Sequence, residues 1–120
     1  MKTFKEIIAW QKGYQLTLML YRNTVQFPKG EEFGLKSQLR RAAVSVISNI
    51  AEGYKKISPK ERLQFYKIAE SSLEEMKCQT MLAHDLDYLH STNYNELSKL
   101  EDETGKVLNG LIQAQRNFIS

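Results

Sequence analysis

The stretch QLRRAAVSVISNIAEG, residues 38–53, carries the most information about the fold of this chain. Plotted at 100° per residue, the apolar side chains of residues 35–53 cover an arc of roughly 200°, whereas a bundle helix needs an apolar stripe of about 100°. The centre of the arc is formed by Leu35, Leu39, Ala42, Val46 and Ile50. We therefore expect a helix whose central stripe packs into a core and whose second apolar face is also covered.

The second apolar face of this helix consists of Ala43, Ile47 and Ala51. Contiguous apolar surface is uncommon on monomers, and alanine lets another backbone approach closely. We predict that these three residues form a contact between copies of the chain in a homo-oligomer. The alternative is that one short chain buries this helix at its centre.

A polar stripe completes the same helix, and Asn49 and Glu52 stand in its last turn. An amide at the border of a core needs hydrogen-bond partners, because leaving it buried and unpaired costs about 1–3 kcal/mol. We predict a structural role, in which both side chains tie the helix end and the turn beyond Gly53 to neighbouring backbone or to a basic side chain such as Arg41. A polar groove with a binding function is the alternative.

Signals that begin and end helices divide the rest of the chain. A capping box opening at Thr3 predicts the start of a first helix. Gly53 is predicted to end the second helix in the left-handed conformation. Ser58, Pro59 and Glu61 predict the start of a third helix, because they supply a cap, a first-turn proline and a capping-box carboxylate.

Apolar spacing of three and four residues supports four helices in all. The first carries a stripe at Ile7, Ile8, Gln11, Tyr14, Leu18, Tyr21 and Val25. The third is expected from residue 59 to about residue 90, and the fourth from about residue 93 to the end. Because the connections are short, neighbouring helices should be antiparallel. The sequence thus predicts an all-α, antiparallel up-down-up-down four-helix bundle in a single domain, residues 1–120.

Composition indicates an ordinary globular protein, since 42% of the 120 residues are apolar and 26% are charged. The N-terminus lacks the uninterrupted apolar segment of a signal peptide, and no apolar run approaches the roughly 18 residues that span a bilayer. Cys78 is the only cysteine, which excludes an internal disulfide. We expect a cytoplasmic protein with no membrane contact.

No pattern of an enzyme is present in the sequence, which holds no phosphate-binding glycine loop and no nucleophile elbow. His84, Asp87 and His90 are successive i+3 neighbours and form the one candidate metal cluster, but a solvated helix end explains them better. Cys78 has no evident base or CxxC partner, so a buried or inert thiol is expected. We predict a non-enzymatic protein with no metal and no cofactor.

Charge is distributed unevenly, because residues 1–67 carry a net charge of +8 and residues 68–120 carry −5. One explanation is that the two halves attract each other within one bundle or between subunits, and the other is a basic face for nucleic acid. A basic surface on an oligomer would be repeated, and repetition strengthens its field toward phosphates. The predicted nucleic-acid-binding residues are Lys36, Arg40, Arg41, Lys55, Lys56, Lys60 and Arg62. Alternatively these residues serve solubility, and the protein is an interaction scaffold with no nucleic-acid role.

Taken together, these motifs resemble the four-helix-bundle proteins encoded in intervening sequences of bacterial 23S rRNA genes. The resemblance spans nearly the whole chain, and its order of blocks is specific. The blocks are Trp10-Gln11, Phe27-Pro28, Glu32, Gly34-Leu35, residues 38–43, Ser45, residues 49–53, Ser58, Glu61, Phe65, Ile68-Ala69, Ser72-Leu73, Glu75 and Gln79. Ser71 departs from the pattern, where Ala, Gly or Arg is expected.

This resemblance implies a left-handed up-down bundle that assembles as a homopentamer. It also implies association with RNA or DNA, because the chain is more distantly similar to the basic pentameric accessory proteins of diversity-generating retroelements. Those proteins bind nucleic acid and a reverse transcriptase. The resemblance therefore implies the fold and the assembly more directly than it implies a biochemical role.

Overall fold

Four α-helices account for most of residues 2–120, the part of the chain that the computed structural model describes; Met1 of the predicted 1–120 domain lies outside it. They are α1 (Ile8–Thr24), α2 (Leu35–Tyr54), α3 (Pro59–Asp85) and α4 (Ser91–Ile119), with short 3₁₀ turns at Phe4–Glu6 and Lys29–Glu31. No strand occurs in this part of the chain. The prediction of an all-α four-helix fold is confirmed.

The helices pack in a closed cycle that gives the bundle its shape. Helix α2 lies between α1 and α3, and α4 completes the cycle between α3 and α1. The described residues measure 46 × 24 × 23 Å along their principal axes. The central stripe predicted for α2 forms part of the core, since its five side chains are at most 7% exposed.

Apart from Ile7, which is buried, the apolar stripe predicted for α1 lies on the outer face of the helix rather than in the core. Tyr14, Leu18, Tyr21 and Val25 are 38–68% exposed, and we call these four residues the outer stripe. The face of α1 that packs inward is formed by Ala9, Gly13, Leu16, Thr17, Leu20 and Thr24. This inward face was not predicted, because the prediction followed large side chains and four of these six residues are small or polar.

The two predicted N-terminal caps have different outcomes. At α3, the Glu61 amide donates to Ser58 Oγ over 3.1 Å and Pro59 occupies the first turn, which confirms the predicted start. Thr3 instead caps the 3₁₀ turn, where its Oγ1 accepts a 3.0 Å bond from the Lys5 amide. Helix α1 begins only at Ile8, because Ile7 is extended and buried.

The predicted role of Gly53 as a left-handed cap is wrong. Helix α2 continues through Gly53 to Tyr54, and no glycine of residues 2–120 has a positive φ. A Cβ atom at Gly53 would lie 2.7 Å from Cε1 of Tyr66 and 3.0 Å from Cβ of Phe65. Glycine is therefore needed here because α2 and α3 approach closely, and not because the backbone is left-handed.

The left-handed residue that ends a helix is Asp87, with φ of 64°. The Tyr88 amide donates to the Ala83 carbonyl and the Asp87 amide to the His84 carbonyl, both over 2.9 Å. This pair of bonds is a Schellman motif, which satisfies carbonyls left free at the end of α3. It turns the chain sharply into α4 and thereby makes the α3–α4 hairpin compact.

Candidate nucleic-acid interface

The seven predicted basic residues form two separate clusters. Lys36, Arg40 and Arg41 lie in the first half of α2, whereas the other four surround the turn between α2 and α3. Arg41 and Lys55 are 14 positions apart, which separates the clusters by about 20 Å along the helix at about 1.5 Å per residue. The structure therefore divides the predicted patch into two.

The first cluster lines an open groove of about 440 Å³ between the end of α1 and the start of α2. We call it the basic–aromatic groove, and it is lined by Tyr21, Glu32, Phe33, Lys36, Ser37, Arg40, Arg41 and Val44. Phe33 is 95% exposed. Phe33 was not predicted from the sequence, because its place between Glu32 and Gly34, just before a helix, does not by itself show that the side chain is exposed.

Arg40 is held rigidly at one wall of the groove. Its Nε donates to Thr24 Oγ1 over 3.0 Å, and one terminal nitrogen donates to the Tyr21 carbonyl over 3.1 Å. The guanidinium lies 4.3 Å from the centroid of the Tyr21 ring. Since arginine has five N–H donors, three remain for another partner, and the group is already fixed in orientation.

Arg41 and Lys36 differ in how free their charges are. Arg41 is exposed, and one terminal nitrogen donates to Ser37 Oγ over 3.1 Å. The Lys36 side chain is 12% exposed and forms a 3.0 Å ion pair with Glu32. The pair neutralises Glu32, the one acidic residue of the groove wall, so the groove keeps the charges of both arginines.

The second cluster contains one residue with a clear structural role. Arg62 donates to Gln115 Oε1 over 2.8 Å and to the carbonyls of Lys56 and Ile57 over 3.0 and 2.8 Å. It thereby fastens the α2–α3 turn to α4. Lys56 lies 5.0 Å from the centroid of the Phe65 ring, while Lys55 and Lys60 are exposed.

The predicted contact face on α2 is covered largely by its own chain. Ala43 is 1% exposed, and its carbonyl accepts a 3.4 Å bond from Thr17 Oγ1 of α1. The predicted contact between copies of the chain is therefore corrected at Ala43, because its side chain is already covered by its own chain. Ile47 and Ala51 are half-buried, and Cγ2 of Ile47 lies 3.0 Å from the position a Cβ at Gly13 would take. The wide apolar arc of α2 is explained by its place between α1 and α3.

Asn49 and Glu52 do not share partners. Asn49 Nδ2 donates to the carbonyl and Oγ of Ser45, over 2.8 and 3.1 Å, so the amide bonds backbone as predicted, but within its own helix. Glu52 is exposed and makes no side-chain hydrogen bond or ion pair within residues 2–120. Neither contacts Arg41, so the predicted tie through that residue is wrong.

The polar stripe of α2 faces α3 and forms a small groove of about 260 Å³. The hydroxyls of Ser45 and Ser72 lie 2.8 Å apart, and Gln79 Nε2 donates to Glu75 Oε1 over 3.1 Å. A 3.4 Å bond joins Gln79 Nε2 to Gln38 Oε1. The Ser45–Ser72 and Gln79–Gln38 contacts connect α2 with α3, whereas the Gln79–Glu75 bond lies within α3. The contacts between the helices give this stripe a structural role.

Glu101 of α4 is a buried carboxyl that sequence analysis missed. It is 2% exposed, and its Oε2 accepts a 2.7 Å bond from Thr80 Oγ1 of α3. Burial raises the pKa of Glu101 to about 7, although the Thr80 bond and the charge of Lys77 act in the opposite direction. Its position between Leu97 and Thr104 on the inward stripe is the signal that could have identified it.

The candidate metal residues lie at the α3–α4 turn without forming a site. No group of three His, Cys, Asp or Glu side chains among residues 2–120 is arranged to hold a metal ion. The His84 ring instead stacks on Tyr94 with centroids 4.4 Å apart, and its Nε2 lies 3.2 Å from Ser91 Oγ. Cys78 is exposed, so of the expected buried or inert thiol only the inert alternative stays a prediction.

Comparison with known proteins identifies the family. The model of the 23S rRNA-intervening sequence protein family matches residues 5–110, which is most of the chain and includes α1, α2, α3 and the larger part of α4. This chain belongs to that family. The sequence resemblance is thereby confirmed, and the family match covers both basic clusters and the basic–aromatic groove. No curated protein matches the chain.

A solved structure supports the fold of this family member. A protein of unknown function from the S23 ribosomal protein family of Bacteroides thetaiotaomicron superposes with a TM-score of 0.79 at 19% identity. The match covers 88% of this chain and 96% of the Bacteroides chain. In the family member described here, no helix of residues 2–120 combines the length and apolarity needed to cross a bilayer.

Proposed function

We propose that this family member is a non-enzymatic RNA-binding protein that contacts phosphates through the two basic clusters. The observation that carries the proposal is the uncompensated charge of these clusters. Six of the seven residues, all except Lys36, have no carboxylate within 4.0 Å among residues 2–120. Cations that are not paired with carboxylates suit phosphate contacts, since binding releases the counterions condensed on the nucleic acid.

The name of the family agrees with RNA rather than DNA as the partner, and the cytoplasm is the proposed setting. On α3, by contrast, Lys77 is engaged by both Glu74 and Asp102, at 3.4 and 3.5 Å. Phosphate contacts are therefore proposed on α2, on the α2–α3 turn and on the first turn of α3, and not on the rest of α3 or on α4.

Affinity for RNA should fall steeply with salt and should depend on the clusters. We expect a double variant, Arg41→Gln with Lys60→Gln, to weaken binding of a structured RNA and to reduce the slope of log affinity against log salt by about 1–2, since each phosphate contact contributes about 0.9 on duplexes and less on single strands. Fluorescence anisotropy between about 50 and 200 mM salt measures both quantities.

The matched control for this experiment is Lys99→Gln with Lys106→Gln, which removes the same charge from exposed positions on α4. It should leave the slope unchanged. Absence of binding at low salt, or binding without a salt slope, would contradict the RNA proposal. Equal effects of the two double variants would show that net charge alone matters.

The outer stripe of α1 favours a second proposed property, self-association. Its four large side chains follow one another at spacings of four, three and four, so they form one continuous exposed face. Such a face is typical of a contact between protein chains. We propose that it joins copies in the homopentamer implied by the family resemblance, in place of the contact predicted at Ala43.

Charges placed on the outer stripe should dissociate the assembly. We expect Leu18→Glu with Val25→Glu to lower the mass in solution, measured by light scattering, to that of one chain, because each carboxylate would have to be desolvated in the contact. The control is Ile57→Glu, since Ile57 is 93% exposed but lies at the α2–α3 turn. A monomeric wild-type protein would refute self-association.

An interaction scaffold without a nucleic-acid role would use the same assembly. It predicts that neutralising the basic clusters leaves biological activity intact, whereas disrupting the outer stripe abolishes it. Comparing Arg41→Gln with Lys60→Gln, which neutralises the clusters, and Leu18→Glu with Val25→Glu, which disrupts the outer stripe, therefore separates the scaffold from the RNA-binding protein.

A further inference from the structure

We propose that the basic–aromatic groove is a base-stacking subsite that makes the protein prefer single-stranded RNA to duplex RNA. This inference rests on the proposed function, and it names the form of RNA that the first cluster binds. In the groove, Phe33 supplies a ring for an unpaired base, while Arg40 and Arg41 of the first cluster bind the adjoining phosphates.

Phe33 is placed for contact with a ligand rather than for packing. It is 95% exposed, while Phe27 at the same end of the bundle is 6% exposed and packs against Tyr88 with centroids 5.4 Å apart. An exposed phenylalanine leaves apolar area in contact with water, and stacking on a base removes that area from water. In a duplex the bases are already stacked, so an aromatic ring gains this contact mainly from single strands.

The charges of the groove are arranged around this ring. Arg40 keeps three unused N–H donors and is fixed by Tyr21 and Thr24, so binding costs it little additional ordering. Arg41 has one of its five donors engaged, by Ser37. Glu32, the acidic residue that lines the groove, is paired with Lys36. It therefore does not repel a phosphate as a free carboxylate would.

The second cluster lacks this combination, which makes it a useful comparison. The Phe65 ring there is partly buried and already covered by the Lys56 ammonium, with 5.0 Å between nitrogen and centroid. The large exposed side chain of that turn is Ile57, which is aliphatic and 93% exposed. The second cluster can therefore contact phosphates, but its Phe65 ring is less accessible than that of Phe33, so stacking is assigned to the first cluster.

The test compares an oligouridine of about 12 nucleotides with an abasic ribose-phosphate oligomer of the same length. We expect the wild-type protein to bind the oligouridine more tightly. We expect Phe33→Ala to weaken oligouridine binding by roughly 5- to 100-fold and to leave abasic binding and the salt slope unchanged. Phe33→Tyr should retain oligouridine binding, and Phe33→Leu should lose it, because leucine keeps apolar bulk without a ring.

Ile57→Ala is the matched control, since it removes an equally exposed apolar side chain from the other cluster and should not affect binding. Equal affinity of the wild-type protein for the two oligomers, or full binding by Phe33→Leu, would overturn the stacking inference while leaving phosphate binding in place. Failure to bind either oligomer at low salt would overturn the proposed function and this inference together. Circular dichroism checks that each variant is folded.

Discussion

Glu101→Gln should stabilise the protein by about 3 kcal/mol above pH 7 and should have little effect below pH 4.5. The pKa of Glu101 is about 7 in the folded protein, against 4.5 for an unperturbed glutamate. Ionising this carboxyl in the folded protein therefore costs about 1.4 kcal/mol for each unit of the difference. Glutamine has a similar shape and cannot ionise, so the cost is removed.

The sign of the pH dependence follows from proton binding. Between pH 4.5 and 7 the folded state holds a proton on Glu101 that the unfolded state has released. The contribution of Glu101 to stability therefore falls as pH rises through this window, and it is constant above and below. Urea unfolding of the wild type and the variant at about pH 4.5, 6 and 8 should show a difference that grows with pH.

The Thr80 hydroxyl can serve either protonation state of Glu101: a bond donated to the carboxylate lowers the pKa of Glu101, and the larger effect of burial outweighs it. Thr80 has one hydroxyl proton, yet its Oγ1 lies 2.7 Å from both the Met76 carbonyl and Glu101 Oε2. When Glu101 is protonated, it can donate to Thr80 while Thr80 donates to Met76, so both short contacts become hydrogen bonds. Glu96→Gln, on an exposed site of α4, is the control and should show no pH-dependent difference. A constant difference at all three pH values for Glu101→Gln would contradict the assignment.

Gly53→Ala should destabilise the protein by about 2 kcal/mol. A Cβ atom at 2.7 Å from Tyr66 cannot be accommodated without movement, and Tyr66 is 2% exposed, so its ring cannot turn out into solvent. Overpacking of this kind costs about 1–3 kcal/mol, which exceeds the gain of up to about 1 kcal/mol from the better helix propensity of alanine. Chemical denaturation measures the difference.

Gly110→Ala provides the matched control, because Gly110 lies inside α4 and a Cβ there would meet no atom within 4 Å. Helix propensity alone should then apply, and this variant should gain up to about 1 kcal/mol. If Gly53→Ala were as stable as Gly110→Ala, the close approach of α2 and α3 at Gly53 would be wrong.

The chemistry of the candidate site was only partly readable from the sequence. The basic residues could be named from their types, but the division into two clusters depends on where α2 ends in space. Arg40 and Arg62 became fixed groups through bonds to Thr24 and Gln115, which are 16 and 53 residues away. Phe33 was missed because exposure is a property of the whole fold and not of a local pattern.

By itself, the sequence determined the number of helices, the start of α3 and the central stripe of α2. Local physics decides these features, because capping bonds join residues three apart and an apolar stripe repeats every 3.6 residues. Only the tertiary structure decided which apolar face of α1 packs inward, why residue 53 must be glycine, and that Glu101 is buried. These features depend on how closely helices from distant parts of the sequence pack. That packing sets the neighbours of each side chain and its exposure to water.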